Sequence, residues 1–442
     1  MTLSIKKLIN DQLSSTSDLK SELIAIKDIE MELLYLDSLC DEIKIKTDLI
    51  SSILKCTDKN EYKQYLNSLP DISKLNEADF MSKFMSGHVC VLIDGETYLF
   101  NASNVENKML GASSSETAIY GSLNSFSDDI KTNLNLLRHR YPSPNLIADK
   151  RKAGQAPQTE IVVIYDSELV DQAVLKDIQL RIDALQPSII HSSGHLMKLL
   201  THRKFSLFPM MMLTERPDRT ALNLSQGKIV ILVQGNGFAL IAPAVFFDFI
   251  SSMDDIFQSF WISIFIIMNR YVSIFLTILL PAVYISTVSF NPELFRIQLT
   301  LSIAGSREGV PYPSFFEVMI MMFLIEALIE ASIRLPKYIS AAATTVGGLI
   351  LGQAAQEANL VSSIMIIVTS TLAIANFVVP INAMSFALRV LKYPFIILAS
   401  FFGIVGIGVG LFGLIVYMTD LKSFGKPYLK IFVGENEKFG KL

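Results

Sequence analysis

The sequence predicts a multi-pass α-helical membrane domain of about five spans, preceded by a cytoplasmic α/β soluble region. Three observations lead there. The 442 residues are 51% hydrophobic and only 18% charged, against about 25% charged in an average soluble domain, and the mean hydropathy is +0.42. The charge is unevenly spread: the first 255 residues are rich in Lys, Asp and Glu, whereas roughly 12 basic and 9 acidic residues follow from Ile256 onward. Finally, apolar runs of about 20 residues, enough to cross a bilayer, occur several times in that second part.

Residues 1–85 carry apolar and charged residues at helical spacing, as in "IKDIEMELLYLDSLCDEIKIKTDLISSIL", and predict an N-terminal helical segment. Residues 86–255 predict a soluble α/β domain. It opens with "HVCVLIDGETYLF", two strands around an Asp-Gly turn. A polar stretch with "NLLRHRYPSPN" follows, then a strand at "TEIVVIYD" and an amphipathic helix at "VLKDIQLRIDAL". A second hairpin stands at "GKIVILVQGNGFALIAP". Two accounts fit this recurrence: an internal duplication, or two hairpins in one domain.

Residues 256–430 predict the transmembrane domain. Spans are expected at 271–292, at 314–333, twice between Ala341 and Pro380 where "QEANLVSS" divides the run, and at 393–419. Residues 431–442 form a short tail. Arg334, Lys337, Arg389 and Lys392 mark the cytoplasmic side if basic residues stay inside. Five crossings then leave Lys422, Lys426 and Lys430 on the wrong side, unless the last segment is a hairpin or a further crossing exists.

The start, "MTLSIKKLINDQLSS", has no apolar core before a small-residue cleavage site, so no signal peptide is expected. Cys40, Cys56 and Cys90 are odd in number and lack metal-type spacing, which points away from a disulfide framework and from zinc. No phosphate-binding loop, zinc motif or nucleophile elbow occurs. His191, His195 and His202 fit a solvated helix end. The expectation is therefore no enzyme, no catalytic residue, no cofactor, no metal and no nucleic acid.

What remains is charge in apolar surroundings. "EALIEASIRLP" puts Glu326, Glu330 and Arg334 four apart on one helix face, with Glu317 further along the same segment. Each such charge at a helix centre costs roughly 2.5–3.5 kcal/mol in lipid, so these groups face protein or water. A structural network with Glu330 and Arg334 paired and a wet path for cations both fit. Gly348 with Gly352, and Gly406 with Gly410, have the spacing that lets helices approach closely. "AGSREGVPYPS", with Arg307, Pro311 and Pro313, fits a bent mouth or a plain loop. In "LTERPDRTALNLSQG" a helix capped at Thr214 or Asp218 and stopped at Gly227 explains the ends. It leaves the Glu215-Arg216-Pro217-Asp218 cluster to an inter-subunit or inter-domain salt-bridge knot.

Five stretches in order, "TERPDRTALNLSQGKIVILVQGNGFALIAP", "AGSREGVPYPSFFE", "EALIEASIRLP", "VGGLILGQAAQEANLVS" and "SFGKPYL", resemble the A subunit of GerA-type nutrient germinant receptors, a family of spore germination proteins. The resemblance runs from about Ser115 to Leu429. It carries Glu215, Arg216, Pro217 and Asp218, then Arg307, Pro311 and Pro313, then Glu326, Glu330, Arg334 and Pro336 as family positions. Ile329 stands where the family usually has an arginine, and Ser332 where it has a glycine. The resemblance implies a homo-oligomeric subunit in the inner membrane of the bacterial spore, partnered by a permease-like B subunit and a lipoprotein C subunit. It would couple nutrient sensing to ion release as an ion-conducting or signalling component. A secondary solute transporter and a non-conducting membrane scaffold are the alternatives.

Overall fold

The computed structural model describes residues 2–430, apart from 27–28, 57, 75–78, 105–110, 112, 114–115, 117–119, 123, 155–157, 186–188 and 202–205. The tail at 431–442 and His202 therefore lie outside the described residues. The chain forms two compact units. One takes in the chain up to residue 204 together with Met210–Ala244 and Ser423–Lys426, and the other is built mainly on Val245–Lys422.

The first unit holds two five-stranded antiparallel sheets. The leading helix α1 (Thr2–Leu13) precedes β1 (Leu19–Ile26) and β2 (Ile29–Leu36). Then come α2 (Glu42–Lys44), a wide-turn segment Ile45–Ile50, α3 (Ser51–Ile53) and α4 (Lys59–Ser68). The sheet is completed by β3 (Ile72–Lys74), β4 (His88–Ile93) and β5 (Glu96–Asn101), with α5 (Phe80–Met85) between, in the order β1-β2-β4-β5-β3. Asp94 and Gly95 take φ of 47° and 80°, the conformation a tight two-residue hairpin needs.

Residues 1–85 are thus not the helical segment their spacing predicts. Strand β2, "IEMELLYL", is buried on both faces. Met31, Leu33 and Tyr35 meet Leu49, Ile53 and Tyr62, while Leu34 and Leu36 meet Ile5, Ile9 and Phe84. A strand covered on both sides loses its period-two alternation and reads like a helix.

The second sheet repeats the pattern. Here α6 (Ile130–Arg140), β6 (Leu146–Ala153), β7 (Thr159–Asp166), α7 (Gln172–Asp183) and α8 (Ser193–Leu200) precede β8 (Met212–Thr214). Helix α9 (Pro217–Ser225), β9 (Ile229–Val233) and β10 (Ala239–Ala242) follow, with strand order β6-β7-β9-β10-β8. Shifted by five, this is the order of the first sheet, with every neighbour antiparallel in both. The two hairpins seen in the sequence occupy equivalent places, as a duplication would put them. Helices α7 and α8 cover one face through Val174, Ile178, Leu196 and Leu200.

A buried ion pair joins the two halves of this unit. Arg138 of α6 gives Nε and Nη2 to Asp18 at 2.8 and 2.7 Å, and Thr16 and Ser38 hydroxyls also reach that carboxylate. Arg138 is 0% and Asp18 1% exposed. Burial alone would raise the Asp18 carboxyl, but the guanidinium and the two hydroxyls hold it below its ordinary value.

The second unit is helical. A short turn α10 (Asp254–Phe257) leads into α11 (Phe260–Ser289), α12 (Ile297–Arg307), α13 (Ser314–Arg334), α14 (Lys337–Glu357), α15 (Ser363–Phe377) and α16 (Asn382–Asp420). By length and composition α11 and α16 are long and apolar enough to cross a membrane. Helix α16 is two rods. Gly403 leaves the helix at φ 57°, ψ −137°, a conformation that only glycine adopts freely. A Cβ on Gly410 would lie 2.9 Å from Phe395 Cε1, so the halves 382–402 and 404–420 fold back side by side.

Contacts fix the direction of each rod. The Gly403 bend sits against Phe290, at the end of α11. Ser289 and Ser314 hydroxyls meet there, so α13 runs back from that end. Helix α14 returns to it, because Gly309 abuts Asn359 beyond the α14 terminus. Ser362, which caps α15, is bonded to the first turn of α13. Six rods therefore alternate in direction: α11, α13, α14, α15 and the two halves of α16. At the other end, Phe246 N donates to Tyr428 O, and Phe208, Phe246, Tyr417 and Tyr428 form an aromatic cluster. The start and finish of the helical unit lie together.

The chain closes with a tight hairpin of β11 (Lys422–Ser423) and β12 (Lys426–Pro427). Its tip belongs to the α/β unit. Ser423 Oγ bridges Met210 O and Ala244 N, Phe424 enters the second core under Arg181, and Lys426 pairs with Asp171.

Candidate functional site

Four of the charges predicted for one region of the helical unit fall at three levels along α13. Near its start, Glu317 is 0% exposed. Its Oε1 accepts from Ser362 N at 2.7 Å and its Oε2 from Tyr284 Oη at 3.0 Å, with Arg307 Nε 3.3 Å away. Two turns further on, Glu326 points inward. Its Oε1 takes Lys392 Nζ at 2.8 Å, and its Oε2 takes both Nε and Nη2 of Arg389. Lys392 is wholly buried. At the third level, Glu330 and Arg334 form an exposed i,i+4 pair at 2.6 Å.

The single stripe that the sequence suggests is therefore divided. Side chains four apart on a helix advance by about 40° per step, enough here to leave Glu326 inside and Glu330 outside. Ile329 is buried in the apolar core of this unit, in one cluster with Met365 and Leu372 of α15. Sequence reasoning missed Lys392 and Arg389 as partners, having assigned both to a loop. The signal was present: two cations three apart match one helix face, opposite an unpaired carboxylate. It also missed Tyr284 and Ser362, whose hydroxyl and backbone N–H respectively donate to Glu317.

The loop ahead of α13 places Arg307 Nη2 on Tyr312 O at 3.2 Å. Pro311 and Pro313 lead into the helix, with Pro313 at its N-cap. Gly348 faces Leu328 of α13 and Gly352 faces Ile366 of α15, while Gly406 and Gly410 face the other half of α16. Each of these glycines thus meets a neighbouring rod of the same chain.

The soluble signature is a knot within the α/β unit. The N-cap of α9 is Arg216, with Pro217 in its first turn, rather than Thr214 or Asp218. Arg216 is bound through Nε and Nη2 to Asp218 at 3.0 and 2.6 Å. Glu215 Oε1 accepts from Ser113 Oγ at 2.6 Å and its carbonyl from Phe126 N, while Arg219 lies 3.0 Å from Glu116. These bonds hold the connector between the two sheets. Burial pushes the Glu116 carboxyl above its ordinary range despite Arg219. Asp218 is also raised by burial, but Arg216 more than offsets this and brings it below.

The residues match the model of the Bacillus/Clostridium GerA spore germination protein family from 7 to 440. This chain belongs to the GerA family. The match includes most of residues 1–85, where the sequence motifs alone gave no likeness. Spore germination protein B1 of Bacillus subtilis (strain 168) is 39% identical over 347 residues, covering 78% of this chain and 72% of that protein. Spore germination protein A1 of the same organism is 33% identical over 430 residues, covering 95% and 88%. Spore germination protein KA is 34% identical over 350 residues, and there the match spans 64% of the relative's length. Among solved structures, the N-terminal domain of the A subunit of the Bacillus megaterium spore germinant receptor GerK3 shares 26% identity. It covers 55% of this chain and 94% of that one, at a TM-score of 0.43. As a GerA-family member the chain is a spore germination protein.

Proposed function

We propose that this GerA-family chain is the membrane subunit of a nutrient germinant receptor in the spore inner membrane. It would act as a homo-oligomer with a permease-like B subunit and a lipoprotein C subunit, and conduct or gate ions as germination begins. One observation supports the membrane reading most. Glu317, Glu326, Arg389 and Lys392 are turned inward and paired, while large apolar side chains such as Phe265, Phe323, Ile367, Phe401 and Phe412 stand exposed. In water that arrangement is unfavourable, and in a bilayer it is what solvation requires.

In this reading all six rods cross the bilayer. An even number returns the chain to its starting side and brings Lys422 and Lys426 there with Arg334 and Lys337. Basic residues then mark one face, which argues for a cytoplasmic α/β unit. Glu326 is committed to two cations, so Glu330 is the better placed of the two stripe carboxylates to line a path between subunits. Helix α12, which has no buried residue, is free to pack against another copy.

Full-length protein in planar bilayers tests this. Potassium conductance with cation selectivity is expected, and Glu330→Gln should lower the cation-to-anion preference several-fold. If the variant conducts with unchanged selectivity, Glu330 does not line the path. A non-conducting oligomer would favour the scaffold reading.

A further inference from the structure

Away from the charged clusters, the helical unit carries two polar repeats. On α11, Arg270, Thr277 and Tyr284 recur every seven residues, and on α15 Ser362, Thr369 and Asn376 do the same, counting the α15 cap. All six are buried, none more than 9% exposed. Seven residues are close to two helical turns, so each set forms one line along its helix. The lines meet at one end, where Tyr284 Oη and Ser362 Oγ are 3.2 Å apart. Helix α15 packs along α11, and α11 extends only five residues beyond Tyr284, so α15 runs back down it. At about 1.5 Å per residue, Thr277 comes level with Thr369, and Arg270 with Asn376, roughly 10 and 21 Å from the junction.

The protein does not satisfy this seam by itself. Thr277 Oγ1 and both amide atoms of Asn376 are buried with no hydrogen-bond partner among the described residues. Native proteins relieve such groups with ordered water that bridges polar atoms. Thr369 Oγ1 donates to Met365 O and keeps its lone pairs free to accept. Each end of the seam holds a carboxylate. Glu317 accepts from Tyr284 at one end. At the other, Asp255 holds Arg270 through Oδ2, and its Oδ1 is buried without a partner.

We propose that the α11–α15 seam is a proton path inside a single protomer. It runs between Asp255 and Glu317 through the Thr277, Thr369 and Tyr284 hydroxyls, with water held at Thr277 and Asn376 bridging the roughly 10 Å between successive levels. Each hydroxyl or water takes up a proton on one side and releases one on the other, then reorients, so no group is consumed. The Arg270 guanidinium at one mouth repels metal cations, while a proton passes by exchange and needs no such approach. The path uses no contact between subunits and does not depend on oligomeric ion conduction.

Full-length protein in phosphatidylcholine vesicles, loaded with a pH-sensitive dye and clamped with valinomycin and potassium, tests it. A pH step is expected to decay through the wild type. Thr277→Val, Thr369→Val and Asn376→Leu should each slow that decay about ten-fold, while Thr277→Ser keeps the wild-type rate. Sodium conductance on the same preparation, in planar bilayers, separates the two readings, since it reports the intersubunit path alone. No dye response with the wild type overturns the proposal, and so does a wild-type rate in the folded Val and Leu variants.

Discussion

Arg138→Ala is expected to destabilise the α/β unit by about 3–5 kcal/mol, the cost of leaving one partner of a buried ion pair uncompensated. Against a total of roughly 5–15 kcal/mol for a domain, that is enough to open it. The reason is position: Arg138 and Asp18 are buried at the junction of the two sheets, and 120 residues apart in the chain. Hydrogen exchange in β6 and β7 of the full-length protein would report the opening. The pH dependence should also change sign. In the wild type the Asp18 carboxyl is held low, so its contribution is complete above the ordinary value of about 3.9. It is lost as pH falls through the lowered value. Without the guanidinium, burial dominates and the carboxyl moves upward, so stability is lost as pH rises instead. Wild-type exchange rates in Arg138→Ala would show that the pair is dispensable.

Glu326→Ala is the second large effect. It leaves Lys392 and Arg389 together inside a helical unit with no anion between them. Cations at a helix centre cost roughly 2.5–3.5 kcal/mol each even by insertion scales. The expected result is at least a ten-fold loss of folded, membrane-inserted protein, measured as the monodisperse fraction after detergent extraction. Lys392→Met is expected to be mild, because the Glu326–Arg389 pair survives it. This asymmetry separates an internal network from a free pore carboxylate, whose removal would leave folding untouched.

The same residues show what the sequence could and could not reveal. Hairpin β4–β5 was legible because Asp94-Gly95 states its own turn chemistry. Strand β2 was not, because burial on both faces erased its alternation. The half of α16 that contains Arg389 and Lys392 was hidden from any hydropathy reading by those two charges. Their neutralisation by Glu326 lies 63 and 66 residues away. The bend at Gly403 was equally silent, since "FFGIVGIG" reads as one continuous span. The bend divides that last segment into two rods packed side by side. Glu317 was visible as a charge, but its partners come from α11, the cap of α15 and the end of α12, and only the fold brings them together.

The proposed topology has an even set of crossings, which returns the chain to the side of the membrane on which the helical unit begins. Sided thiol labelling tests it most directly. Burial pushes the Cys40 and Cys90 thiols up to about 12, and Cys56 is also buried, so the native background is slow to react. Single cysteines at Ser21, Lys422 and Glu357 would be labelled with an impermeant maleimide in vesicles of both orientations. Ser21→Cys and Lys422→Cys should react from one side and Glu357→Cys from the other. Labelling of Ser21→Cys and Lys422→Cys from opposite sides would contradict the account.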